Sequence, residues 1–207
     1  SIASGGNYNT VVGDEAGNAI TTSTYNTGVG YRALWKNTTG ATNAAFGVQA
    51  LAYNTTGASN TAVGVNSLYA NTTASNNTAV GNSALIANTT GASNVGVGTN
   101  ALGSNTTASN NIAIGQEALY YNTTGSQNTA VGRSALVSNV SGSNNTAIAY
   151  AALNNNTTGA QNIAVGRSAL NSNTTASNNT AVGYSALYAN TTGTGLVAVG
   201  TNALDAN

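Results

Sequence analysis

The chain has 207 residues, four basic and four acidic, a formal net charge of zero, and no histidine, cysteine, methionine or proline. It therefore lacks thiol nucleophiles, disulfides, soft metal sites and imidazole acid–base groups, and with no basic patch it is not expected to bind nucleic acid. An ordinary soluble domain carries about 25% charged residues; only 4% here are charged, and a chain this poor in charge and proline reads as an internal repeat rather than as disorder.

Residues 1–8 precede the regular pattern. From Asn9 a unit close to N-T-A-V-G-x-x-A-L-x-x-N-T-T-G-A-S recurs every 17 residues without insertion or deletion, giving eleven full units and a twelfth of twelve positions. The units begin at Asn9, Asn26, Asn43, Asn60, Asn77, Asn94, Asn111, Asn128, Asn145, Asn162, Asn179 and Leu196. The first is irregular, with Gly17 in place of Leu and Ile20 in place of Asn. Residues 1–25 are read as an N-terminal cap with an irregular first coil, and 26–207 as a repeat solenoid of eleven coils, the last truncated. No apolar run approaches the roughly 20 residues of a membrane span, so no membrane insertion is expected. No signal peptide is seen, and the missing initiator Met points to a processed chain or a segment of a longer one.

Within the unit, column one is Asn in eleven of twelve copies, and column two is Thr, Ile, Val or Ala. Column three is Ala or Gly in eleven of twelve, column four always apolar, and column five Gly in eleven of twelve. Column eight is Ala except at Ser67, column nine is Leu in eleven of twelve, and column twelve is Asn in eleven of twelve. Columns six, seven, ten and eleven vary freely, which marks solvent-facing positions. Thr-Ala-Val before Gly predicts a short strand with columns two and four on one face. Gly turns the corner, Ala-Leu is predicted to open a second short strand, and Asn-Thr-Thr-Gly returns the chain. The expected fold is all-β, a parallel β-solenoid or β-roll of 17-residue coils, trimeric or filament-forming. At about 4.8 Å per coil, twelve coils make a rod of roughly 55 Å. Its expected core columns are Val63, Val80, Val131, Val165 and Val182 with Leu68, Leu85, Leu136, Leu170 and Leu187. Stacked Asn in columns one and twelve is expected to form amide ladders along the rod.

Two large apolar anchors per coil make a thin core, which points to a partner. If column four faces inward, the small residues of column three form a row on the opposite face. That row is expected to let a second copy approach closely, giving a homo-oligomer (a trimer above all) or an end-to-end filament.

Units such as NTAVGYSALYANTTG (Asn179 to Gly193) and NIAIGQEALYYNTTG (Asn111 to Gly125) resemble repeats of phage tail fibres and bacterial surface proteins. More loosely, they are similar to the head repeats of trimeric autotransporter adhesins (the YadA-like type), whose unit is shorter and whose connection lacks Asn-Thr-Thr-Gly. The resemblance covers Asn9 to Asn207. It implies a parallel β-roll that trimerises, an extracellular, cell-surface or virion location, and a stalk or adhesive role.

Several motifs are candidates for chemistry. Asn-x-Ser/Thr sequons fall in phase at Asn37, Asn54, Asn71, Asn88, Asn105, Asn122, Asn139, Asn156, Asn173 and Asn190, and make these candidate glycosylation sites. One site per coil spaces glycans only about 5 Å apart, so full occupancy is not expected, and a structural Asn ladder accounts for the same column. Adjacent Thr columns raise ice binding as an alternative, although only one of two neighbouring strand residues can face outward. Gly-x-Gly at Gly28 to Gly30 and Gly96 to Gly98 lacks the following helix and lysine of a phosphate loop. Asp14, Glu15, Glu117 and Asp205 are too scattered for calcium, and no cofactor is expected. Asp14 and Glu15 are read as part of an end cap that blunts a sheet edge. Trp35, Tyr53, Tyr69, Tyr120, Tyr121 and Tyr188, in columns ten and eleven, are the candidate surface-binding residues, with cell-surface glycans as candidate partners. Tyr31, Tyr150 and Tyr184 form a second edge beside Arg133 and Arg167. The expected function is a structural or adhesive element of an extracellular fibre, not an enzyme. The alternatives are an ice-binding solenoid and a glycan-binding adhesin head.

Overall fold

The computed structural model describes residues 7–205. The start of the expected cap, 1–6, and the last two positions of the final unit, 206–207, lie outside the described residues. Each repeat contributes one three-residue strand. In chain order these are β1 (Thr10–Val12), β2 (Thr27–Val29), β3 (Ala44–Phe46), β4 (Thr61–Val63), β5 (Thr78–Val80) and β6 (Val95–Val97). They continue as β7 (Ile112–Ile114), β8 (Thr129–Val131), β9 (Thr146–Ile148), β10 (Ile163–Val165), β11 (Thr180–Val182) and β12 (Val197–Val199). All twelve lie in one parallel sheet in sequence order. Register never slips: Thr61 pairs with Thr78, Ala62 with Ala79 and Val63 with Val80, and so on along the rod. The protein is a parallel β-solenoid.

The strand alternates as expected, but in the opposite sense. Its middle residue is buried and its outer two face away from the core. Ala62, Ala79, Ala130, Ala164 and Ala181 are fully buried, whereas Val63 is 38% exposed and Val80, Val131, Val165 and Val182 are half-buried. The five valines expected in the core are therefore outside it. The leucines expected there, Leu68, Leu85, Leu136, Leu170 and Leu187, are all at 0% exposure. Space explains the reversal. A Cβ placed on Gly28, in the column of alanines, would lie 3.0 Å from Leu34 Cδ1, and one on Gly96 would lie 3.4 Å from Leu85 Cδ1. Between the strand and the inward leucine there is room for a methyl and little more. The first coil supports this reading. There Val11 occupies the alanine column and is 1% exposed, while Gly17 stands where the other coils have Leu. A Cβ on Gly17 would come within 2.8 Å of Val11 Cγ1 and 2.9 Å of Ile20 Cδ1, so Val11 and Ile20 fill the volume the leucine vacates. Because the small residues point inward, they do not form the docking row expected of them.

No second strand follows the corner. From column six to column eleven the chain is a turn, with left-handed backbone in columns seven and nine, as at Glu117 (φ 59°) and Leu119 (φ 52°). Leucine rarely adopts this conformation. Here the Leu119 amide donates to the Ala135 carbonyl of the next coil at 3.0 Å, and the turn drives the side chain into the core. In column five, Gly64 has φ 131°, and a Cβ there would stand 2.5 Å from the Gly81 carbonyl oxygen. This crowding accounts for the nearly invariant glycine.

Both asparagine columns lie inside the coil. In column twelve, from Asn54 to Asn190, each Nδ2 donates to the preceding Oδ1 and to a carbonyl three residues on. Asn122 reaches Asn105 Oδ1 at 3.0 Å and the Gly125 oxygen at 2.9 Å, and the expected amide ladder is present. Column one works through the backbone instead. Asn111 Nδ2 donates to the Gly125 carbonyl at 3.0 Å, and its Oδ1 accepts the Asn128 amide at 2.9 Å. Core and ladders together leave the outward columns to carry any interaction.

Candidate functional surfaces

Three outward faces run along the rod. The sheet face presents columns two and four. Column four is Val, Ile or Phe in every coil, with Val29 at 37%, Phe46 at 41% and Ile114 at 41% exposure. Constant register turns these side chains into one continuous, uncharged file. Sequence reasoning missed this surface because the choice of inward face was reversed.

A second face carries the threonines. Column thirteen is half-buried in most coils, and most of its hydroxyls are committed to the rod. Thr55 Oγ1 donates to the Thr72 carbonyl at 3.0 Å, and Thr72 Oγ1 to the Thr89 carbonyl at 3.2 Å. Column fourteen is exposed, as at Thr56, Thr73 and Thr90, so one of the two threonine files faces solvent.

The sequon residues Asn37, Asn54, Asn71, Asn88, Asn105, Asn122, Asn139, Asn156, Asn173 and Asn190 are at most 1% exposed. The Nδ2 of each is engaged in hydrogen bonds inside the coil, as at Asn139, which donates to Asn122 Oδ1 at 2.8 Å and to the Gly142 carbonyl at 2.9 Å. A glycan attached to this nitrogen would occupy the core and break the ladder. The folded coil thus has no room for a glycan at these candidate positions, and the structural asparagine ladder accounts for the column.

The third face is formed by columns six, seven, ten and eleven. Column seven is mostly half-buried rather than open, because its left-handed backbone tucks it between its neighbours. The structure groups three of the candidate aromatics. Trp35 and Tyr53 meet edge to face at 5.6 Å, and Tyr53 and Tyr69 at 4.9 Å. Lys36 Nζ lies 3.8 Å from the centroid of the Trp35 ring, with the Arg32 guanidinium 4.7 Å away. Arg32 also pairs with Glu15 at 2.6 Å. That hydrogen bond holds the Glu15 carboxyl below its ordinary range and raises Arg32, so Glu15 braces the second coil. The neighbouring Tyr53 side chain, with partial burial, pushes the Tyr69 hydroxyl above its ordinary range.

Tyr120 and Tyr121 form a separate pair at 4.7 Å, and Tyr188 lies apart from both groups. At the second edge, Arg167 lies 5.6 Å from the Tyr150 ring and 5.9 Å from the Tyr184 ring. Tyr8 and Tyr25 stack at 5.1 Å with planes 2° apart; both precede an Asn of column one, a signal legible in the repeat but not used. No cluster of three or more metal-ligating His, Cys, Asp or Glu occurs among the described residues. No helix there is long and apolar enough to cross a membrane.

Comparison of the chain with protein-family models, curated proteins and solved structures finds no match. The class that fold and faces define is a single-sheet parallel β-solenoid repeat protein with outward apolar, threonine and aromatic–cationic files.

Proposed function

We propose that this chain is a structural shaft element of an extracellular fibre or filament, of the surface-appendage or phage tail-fibre kind, and that it self-associates. The observation that carries the reading is the unbroken stack. Twelve strands hold one register, and the buried asparagine columns bond along the same axis, so each coil is braced by its neighbours. A stack of this kind is stiff along one dimension and extends by repetition. The extracellular, cell-surface or virion setting rests on the resemblance of the repeats to fibre and adhesin sequences. The role requires no catalytic group, and none is assigned.

Self-association is assigned to the sheet face rather than to the inward alanines. A continuous apolar file along a rod of roughly 55 Å is longer than the scattered apolar contacts a monomer ordinarily exposes. A second copy offers the same repeat spacing and no opposing charge. Light scattering with negative-stain microscopy tests the reading. Rods containing two or more chains are expected, and Val63→Asp with Val131→Asp should disperse them to single chains of 20.3 kDa. A wild-type chain that stays monomeric at high concentration, with no fibres, overturns it. Thermal hysteresis in the same samples would favour the ice-binding alternative, with the open threonines of column fourteen as its candidate surface.

A further inference from the structure

All eight charged side chains fall in columns six, seven, ten and eleven, as does every aromatic residue except Tyr8, Tyr25 and Phe46. Chemical variety is thus confined to one face of an otherwise uniform rod, where a ligand would find something to distinguish one coil from the next. At the tenth to twelfth coils this face opens into a cleft of about 500 Å³. Arg167 and Tyr184 of column six line one side, Tyr188 and Asp205 of column ten the other, and Ser168 and Ser185 of column seven lie between them. The serines are the smallest side chains on its lining. In the second coil the equivalent position is Arg32, whose side chain is tied to Glu15 and stands over Tyr31 and Trp35.

We propose that this cleft binds a saccharide unit of one or two rings. Its volume lies in the range of small-ligand sites, about 300–1,000 Å³. Its walls combine aromatic faces, which suit the C–H face of a sugar ring, with donors and acceptors set close together. Tyr184 and Tyr188 supply the stacking surfaces. Arg167 donates, Asp205 accepts, and Ser168, Ser185 and Asn202 can do either. Arg167 lies near the rings of Tyr150 and Tyr184, and no carboxylate comes within ion-pair distance of it among the described residues. Its fork therefore remains free for ring hydroxyls or for a sugar carboxylate. A hydroxyl-rich ring uses both the aromatic and the polar walls, whereas a purely apolar ligand would leave the polar wall unpaired.

Saturation-transfer NMR on the full chain tests the site, with methyl β-D-galactopyranoside, N-acetyl-D-glucosamine and D-glucuronic acid as probes. At least one probe should receive transfer. The affinity should fall about tenfold or more in Tyr184→Ala and in Arg167→Ala, as expected for a central aromatic or arginine contact. Trp35→Ala should leave it unchanged, and transfer to glucuronic acid alone would identify the ligand as acidic. No transfer to any probe overturns the proposal. So does transfer that survives Tyr184→Ala, or that is lost in Trp35→Ala, which would move binding to the other aromatic group. Circular dichroism confirms that each variant is folded. Microscopy of the same samples scores rods independently, so loss of sugar binding leaves the shaft reading standing.

Discussion

At the scale of single residues the strongest constraint is the buried amide. Asn122 donates to Asn105 Oδ1 and to the Gly125 carbonyl, and accepts from Asn139 Nδ2 at 2.8 Å. Asn122→Ala would remove two donors and leave Asn139 short of an acceptor in the core. The expected cost is about 2–3 kcal/mol, since a buried polar group left without its partner bears its desolvation cost uncompensated. Thr124→Ala, two positions along the chain on the exposed face, should stay within about 0.5 kcal/mol. Urea unfolding of the two variants measures the difference, and equal stabilities would show that the ladder contributes nothing. The ladder in column twelve was legible because identical amides at a fixed period can bond to their own copies. The carbonyl partners of column one were not, because they depend on where the return turn places its backbone.

At the scale of the strand, the alternation of Thr-Ala-Val showed which residues share a face but not which face is inside. Val is the better core residue in isolation, and column four is the more apolar. The deciding factor is the leucine across the coil, fully buried in every coil from Leu34 to Leu187 and close enough to leave the strand only a methyl of depth. Ala130→Val is accordingly expected to cost about 1–3 kcal/mol through overpacking. Val131→Ala, on the outer face, should cost under about 1 kcal/mol in the isolated rod. Thermal melts of the two variants test the assignment, and a reversed order of stabilities would restore the valines to the core. The missing second strand has a similar origin. Ala-Leu after a glycine corner looks like a strand start, yet Leu136 and its equivalents lie in the left-handed region at φ near 52°. Local preference yields there to an amide bonded to the next coil and a fully buried side chain.

At the scale of the whole molecule, each coil touches only its neighbours, so stability should behave as a sum over coils and their interfaces. Removing residues 111–127, one complete period, is expected to leave a folded rod about 4.8 Å shorter. Removing residues 111–118 should break the stack, because every ladder beyond the cut would lose its register. Circular dichroism and microscopy distinguish the two deletions, and equal tolerance would mean that register is not what holds the rod together. The near absence of charge belongs to this scale as well. A charge in a fixed column would face its own copy about 5 Å away along the entire rod, and the few charges present occur only in the varying columns.

The sequence by itself determined the period, the parallel stack, the buried leucines and the asparagine ladder, because a strict repeat forces each side chain to meet its equivalents. Only the tertiary structure decided which side of the strand is inside, how the turn reaches the core, and where a cleft lies on the aromatic face. Those outcomes depend on the volume enclosed by one closed coil. That volume is set by how the turn folds the leucine back against the strand, as at Gly28 and Leu34, and a pattern of residue types does not fix it.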